Sequence, residues 1–176
     1  GHISAEQVSF MRIADGAVSI LAGLGTPIFM KRVSPRNCIV LGALGISVAA
    51  LLMAHLPADN AFVFAVALFA FTAFPALLLN VASLSEGLAH AAADQKGASA
   101  GFWAMSALFS APFGLAIGLP SMQAAAAAHG RAAPGPDDYA LAFTLLAGLT
   151  LAAAVFAFFF IRTRPGWQPP LTVAAK

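Results

Sequence analysis

Residues 37–80 read NCIVLGALGISVAALLMAHLPADNAFVFAVALFAFTAFPALLLN. Two apolar runs, 38–54 and one that starts at Ala61 and continues to residue 85, flank the tight polar turn 56–60 with its Pro57, Asp59 and Asn60. A hydrocarbon layer of about 30 Å needs roughly 20 apolar residues per helix, so each run is long enough to span it. Outward from this pair lie three more runs of similar length, 5–30, 98–119 and 139–161. The reading is an all-α, polytopic membrane bundle of five transmembrane helices over residues 1–164. A cytoplasmic tail, 165–176, follows, and its Pro165, Pro169 and Pro170 predict an extended or disordered chain.

Composition agrees. Sixty per cent of the residues are hydrophobic and 9% are charged, against roughly 25% charged in soluble domains. Lys31, Arg32, Arg36, Lys96, Arg162, Arg164 and Lys176 fall on alternate breaks, leaving Arg131 on the other side and Arg12 inside the first span. By the positive-inside rule the heavily basic side is cytoplasmic. The amino terminus is then outside and the carboxyl terminus inside a bacterial inner membrane, with the lipid bilayer as the surrounding partner. The net charge of +2 reports topology and calls for no nucleic acid. One cysteine, Cys38, excludes an intramolecular disulfide framework and reads as a small apolar residue at a helix start. The opening Gly1-His2-Ile3-Ser4 has neither Met nor a signal-peptide pattern, which predicts further protein upstream.

Local signals refine the spans. Ser4 and Gln7 have capping-box spacing, so the first helix begins near Ala5, and Ser34-Pro35 forces a turn after it. Residues 86–97 form an inner loop and 121–138 an Ala-rich outer loop ending in Pro134-Gly135-Pro136-Asp137-Asp138. Within the first span Arg12, Asp15, Ser19, Ala22 and Thr26 recur at spacings of three and four and share a face, while Met11, Val18, Leu21 and Ile28 lie off it. The third span repeats this with Thr72, Ala76, Asn80 and Ser83, and the fourth with Ser99, Ser106, Ser110 and Gly114. The second and fifth spans are the least polar and are expected to tolerate broad lipid contact.

Arg12 and Asp15 lie one turn apart and are placed to pair. At about 1.5 Å per residue they sit roughly 6 and 10 Å deep if hydrocarbon begins near Val8. Ionisable groups at such depth cost about 2.5–3.5 kcal/mol each and face a cavity or a partner. They are therefore candidates for coupling or gating, or else a structural ion pair near the outer interface. Thr72 and Asn80 are candidate substrate-binding groups, although a threonine can satisfy its own helix carbonyl and Asn80 can serve as an interhelical bond. Pro75 and Pro112 each remove a backbone hydrogen bond inside a span and read as a hinge, a gate or a fixed bend. Gly97/Gly101 and Gly114/Gly118 match the G-x-x-x-G spacing that allows close helix approach. His2, His55, His90 and His129 lie in breaks without metal-ligand spacing, and no nucleophile elbow or phosphate loop is present. No catalytic residue, metal or cofactor is called for.

This order of features resembles helices eight to twelve, the carboxyl-terminal half, of a major facilitator superfamily transporter. The family's basic loop between helices eight and nine corresponds to Pro27-Ile28-Phe29-Met30-Lys31-Arg32-Val33-Ser34-Pro35-Arg36. Arg32 and Arg36 match its pattern, whereas Lys31 replaces its acid and Pro27 and Ser34 its glycines. Lys96-Gly97-Ala98-Ser99-Ala100-Gly101 is similar to the start of helix eleven. The resemblance implies alternating access about a midplane site, with the missing amino-terminal half of the same polypeptide as the partner bundle. It also implies peripheral positions for the second and fifth spans, helices nine and twelve.

The function expected is secondary transport of a small-molecule substrate, with proton coupling motivated by Asp15. The alternative is a non-transporting membrane scaffold or assembly protein whose polar stripes join helices. An intramembrane enzyme would have only Asp15 as its acid.

Overall fold

The computed structural model describes residues 5–55 and 61–161. Ser4 with its expected cap, the turn 56–60 and the tail lie outside the described residues. The elements are α1 (Ala5–Met30), α2 (Pro35–Ala54), α3 (Ala61–His90), a 3₁₀ turn (Ala93–Gln95), α4 (Lys96–Ala128) and α5 (Pro136–Phe160), with no strand among the described residues. Among the described residues four helices, α1, α2, α3 and α5, are long and apolar enough to cross a membrane. The chain is an all-α protein with the character of an integral membrane protein.

Four helix ends differ from the sequence expectation, each for a local reason. Helix α2 starts at Pro35 instead of Cys38 because Ser34 is its N-cap and accepts from the Asn37 amide at 3.4 Å. Proline is favoured at the first helical position, where its missing N–H has no intrahelical acceptor. Helix α5 repeats this pattern with Gly135 and Pro136. Helix α3 runs on to His90, so the expected inner loop shrinks to 91–95. Polar side chains such as Glu86 do not end a helix. Helix α4 likewise continues through the alanine run to Ala128, because alanine is the strongest helix former. What stops it is Gly130, at φ 66°. The Gly130 amide bonds to Ala127 O and the Arg131 amide to Ala126 O, the two bonds of a Schellman cap.

Helix α2 lies between α3 and α5 and is antiparallel to both. At its amino-terminal end the Arg36 guanidinium stands over the Phe158 ring, 4.7 Å from its centroid. Midway, the Ser47 hydroxyl donates to Ala147 O at 2.9 Å. Towards α3, Gly42 and Gly45 meet Pro75 and Leu79. Helix α1 runs parallel to α3, joined by the Phe10–Phe62 and Phe29–Phe74 ring pairs. Cys38, Ile39, Leu78, Ala82 and Ala157 form a buried core near the start of α2, and Cys38 is fully buried there, as expected of a small apolar residue at a helix start.

The second and fifth spans, both expected to tolerate broad lipid contact, differ in how much of their surface the other helices cover. Helix α5 buries Asp138 in its first turn and, beyond that, a narrow stripe of Ala147, Ala154 and Ala157, at spacings of seven and three. Helix α2 is the most buried of the four, because Gly42, Ala43, Ala49 and Ala50 let neighbours approach on both sides. Apolar composition alone does not separate the two cases, since lipid tails are as apolar as leucine.

Ser47 provides the buried polar link between α2 and α5. Ser47→Ala is expected to lower stability by about 0.6–1.7 kcal/mol, the range of interhelical hydrogen bonds in membranes. An unchanged unfolding midpoint in detergent would show that the Ala147 carbonyl loses nothing.

Candidate functional site

The polar stripe of α1 faces protein. Ala22 and Thr26 are buried, Asp15 and Ser19 half-buried, and Leu21 and Ile28 exposed, while Val18, expected off the stripe, is half-buried as Asp15 and Ser19 are. The stripe's lower end packs towards α3, where a side chain at Gly25 would touch Phe74. The Thr26 hydroxyl donates to Ala22 O at 2.8 Å and so satisfies itself within the helix. Asp15 keeps a half-buried carboxylate in the upper part of this face. The side chain of Arg12 lies outside the described residues, as does that of Pro112, although both positions are helical.

Thr72 and Asn80 are not brought together with Asp15. The Thr72 hydroxyl donates to Phe69 O at 2.7 Å. Thr72 borders a cavity of about 160 Å³ whose other walls are apolar side chains of α2, α3 and α5, among them Ile46, Met53 and Phe143. Asn80 is exposed and makes no hydrogen bond among the described residues. Pro75 is buried. A Cβ at Gly45 would lie 2.7 Å from the Pro75 ring, and one at Gly42 2.7 Å from the Pro75 carbonyl oxygen. This contact favours the fixed bend over the gate.

The G-x-x-x-G pairs do something other than expected. A Cβ built at Gly97, Gly101, Gly114 or Gly118 meets nothing within 4 Å. These glycines make no close approach among the described residues; Gly114 and Gly118 instead help open an apolar groove of about 420 Å³ between α4 and α5. The close approach is made by Gly42 and Gly45. Sequence reasoning passed over this pair, though Cys38, Gly42, Gly45 and Ala49 recur at spacings of four, three and four, which places small residues on one helix face.

Two polar constellations emerge that the sequence pattern did not single out. At the carboxyl-terminal end of α3, Ser83, Glu86 and His90 border a cavity of about 530 Å³ completed by Ile39, Gly87, Phe160 and Ile161. His90 Nδ1 lies 2.9 Å from Glu86 O, and a carbonyl only accepts, so Nδ1 carries a proton.

At the other end, Asp138 is fully buried and draws together the turn between α4 and α5. Its Oδ2 accepts from the Gly135 amide at 2.7 Å, and its Oδ1 is 2.9 Å from His129 Nδ1. Arg131 Nη1 stands 3.7 Å from Oδ2. His129 Nδ1 is also 3.1 Å from Arg131 Nη2, but it cannot donate to the carboxylate and accept from the guanidinium at once. The carboxylate is acceptor-only, so Nδ1 bears the proton and donates to Asp138. The carboxylate also sits in the first turn of α5, where the helix dipole favours negative charge. The unit fits a clasp that fixes the entry of α5. Asp138→Ala is expected to lower the yield of folded protein more than His129→Ala does, because it strips the partner from two donors and one cation at once. Equal yields for the two variants would show that Asp138 is not the centre of the clasp.

Among the described residues no group of three or more His, Cys, Asp or Glu could hold a metal ion. Asp15 lies near the start of the apolar stretch Ile13–Met30 of α1. No protein-family model, no curated protein and no solved structure matches this chain.

Proposed function

We propose that the chain is a five-span part of a secondary transporter that moves a small molecule by alternating access, as the resemblance to the major facilitator superfamily implies. The observation that carries the reading is Asp15, a half-buried carboxylate within an apolar span, where only a cavity, a partner or a coupling ion offsets its cost. The second bundle needed for alternating access is expected upstream in the same polypeptide.

The fifth span is α4. Helices α3 and α5 are both antiparallel to α2 and so run in the same direction, which supports a return of the chain across the bilayer between them. Helix α4 has 33 residues, about 50 Å at 1.5 Å per residue, and its sequence carries no charged residue between Lys96 and Arg131. Single cysteines at Ala92 and Ala132, in a Cys38→Ala background, are expected to react with an impermeant thiol reagent from opposite sides of the membrane. Reaction from the same side would overturn the five-span topology.

Helix α5, largely exposed outside Asp138 and its alanine stripe, suits the peripheral position the superfamily assigns to its twelfth helix; the central α2 departs from it. In vesicles carrying the whole protein, collapse of the proton gradient is expected to abolish concentrative transport. Unaltered flux in both directions would remove proton coupling from the proposal.

A scaffold is the second reading, and the self-satisfied Thr72 hydroxyl and the packed Pro75 favour it. Under that reading the stripes only hold helices together. Substitution of Asn80 and Asp15 would then lower folded yield without a specific transport defect.

A further inference from the structure

We propose that the turn from Lys31 to Arg36 is a binding site for the phosphate of an anionic phospholipid, with Arg36 as its principal ligand. The inference rests on the chain being embedded in a bilayer and not on its being a transporter. Lys31 and Arg32 are exposed in the turn after α1, and Arg36 is half-buried in the first turn of α2. Among the described residues none of the three forms an ion pair.

Arg36 is the unusual member. Its guanidinium is held over Phe158 at 4.7 Å, and its buried Nε has no hydrogen-bond partner. Burying a donor without a partner is unfavourable, yet this one is kept in place by the stacking contact. Glu86 stands at a similar level on α3, as the antiparallel register of α2 and α3 requires, and is the acid nearest in that register; no Arg36–Glu86 ion pair forms. The guanidinium is thus oriented by an aromatic shelf and not by a carboxylate.

The buried Nε is closed to any ligand, but the two terminal nitrogens of the guanidinium, which make no hydrogen bond or ion pair among the described residues, form a planar pair suited to two oxygens of a phosphate. The backbone adds to this. Pro35 has no N–H, and the first-turn amides of α2 lie at the positive end of a 20-residue helix, a place that favours anions. The turn lies where the membrane surface meets water, and there each Lys or Arg gains about 1 kcal/mol from an anionic leaflet. Lys31 and Arg32 supply that diffuse attraction, while Arg36 supplies the localised contact. A lipid is preferred over free phosphate because Phe158 and the exposed Phe159 and Phe160 continue the site into an apolar surface that an acyl chain can cover.

The test is a titration of phosphatidylglycerol into phosphatidylcholine nanodiscs holding the whole protein, with the unfolding midpoint as the readout of binding. Phosphatidylglycerol is expected to raise the midpoint. Arg36→Gln should weaken the apparent lipid affinity about tenfold, the loss of one charge-assisted contact, and Arg36→Lys should weaken it nearly as much, since an ammonium lacks the fork. Lys31→Gln and Arg32→Gln should each weaken it less. Equal losses for all three positions would overturn the site in favour of diffuse surface charge. An equal rise from inorganic phosphate in pure phosphatidylcholine would overturn the lipid as its source. If Glu86→Gln and Arg36→Gln lower the midpoint equally in pure phosphatidylcholine, the guanidinium serves Glu86 and the proposal fails. Each variant is compared with itself across lipid compositions, so a general loss of stability does not mimic the result.

Discussion

Replacing Gly42 by alanine is expected to destabilise the protein by about 1–3 kcal/mol, the cost of overpacking a close contact. A Cβ at this position would stand 2.7 Å from Pro75 O and 2.8 Å from both Leu79 N and Leu79 Cβ. Two of these are backbone atoms and cannot turn away, so α3 as a whole must move. Gly45→Ala is a related case with a different culprit, because its new methyl would meet the Cβ and Cγ of Pro75 at 2.7 Å. Pro75→Gly should therefore relieve Gly45→Ala while leaving Gly42→Ala as damaging as before. The two glycine substitutions should be less than additive, since one displacement of α3 accommodates both. Gly114→Ala is the internal control, with nothing within 4 Å of its Cβ. It should be neutral or stabilising by up to about 1 kcal/mol through helix propensity. Unfolding in mixed detergent measures all four, and a Gly42→Ala protein as stable as the parent would show that α2 and α3 do not meet as closely as described.

The same pair shows what could be read from the sequence and what could not. Span positions follow from runs of apolar residues, a local property, and α1 was expected to begin at Ala5 and end at Met30, as it does. The polar stripe of α1 was assigned to one face by its period, and Ala22 and Thr26 of that stripe are buried. Which glycine is buried against a neighbour is not local. Gly114 and Gly118 have the spacing associated with close approach and make none, whereas Gly42 and Gly45 do so because Pro75 of another helix lies opposite. The central position of α2 was hidden for the same reason: its apolar surface would suit lipid equally well. Helix ends were misplaced where a residue was read by its usual tendency and not by its position, as with Pro35 at a helix start and the alanine run before Gly130. The Asp138 clasp joins residues nine apart, His129 and Asp138, through a turn whose geometry only the Schellman cap defines.

Asp15→Asn is expected to reduce gradient-driven transport at least about tenfold, an effect of about 1.4 kcal/mol or more on the coupled step, while leaving folding intact. The amide keeps the shape and hydrogen-bonding capacity of the carboxyl and loses only its charge and its exchangeable proton, so a defect confined to transport assigns Asp15 a role in coupling. The competing explanations predict different patterns. If Asp15 only joins helices, the amide still bonds, and both stability and transport stay near the parent's. If Asp15 is half of a structural ion pair with Arg12, then Arg12→Gln leaves a carboxylate in hydrocarbon without its cation, and breaking such a pair from one side is more damaging than removing both charges. The double variant, Arg12→Gln with Asp15→Asn, would then be more stable than Arg12→Gln alone. Under the coupling role the double variant transports no better than Asp15→Asn, whatever its stability. Measuring unfolding and flux on the same three proteins separates a charge kept for the fold from a charge kept for transport, because only the second predicts that restored stability fails to restore flux.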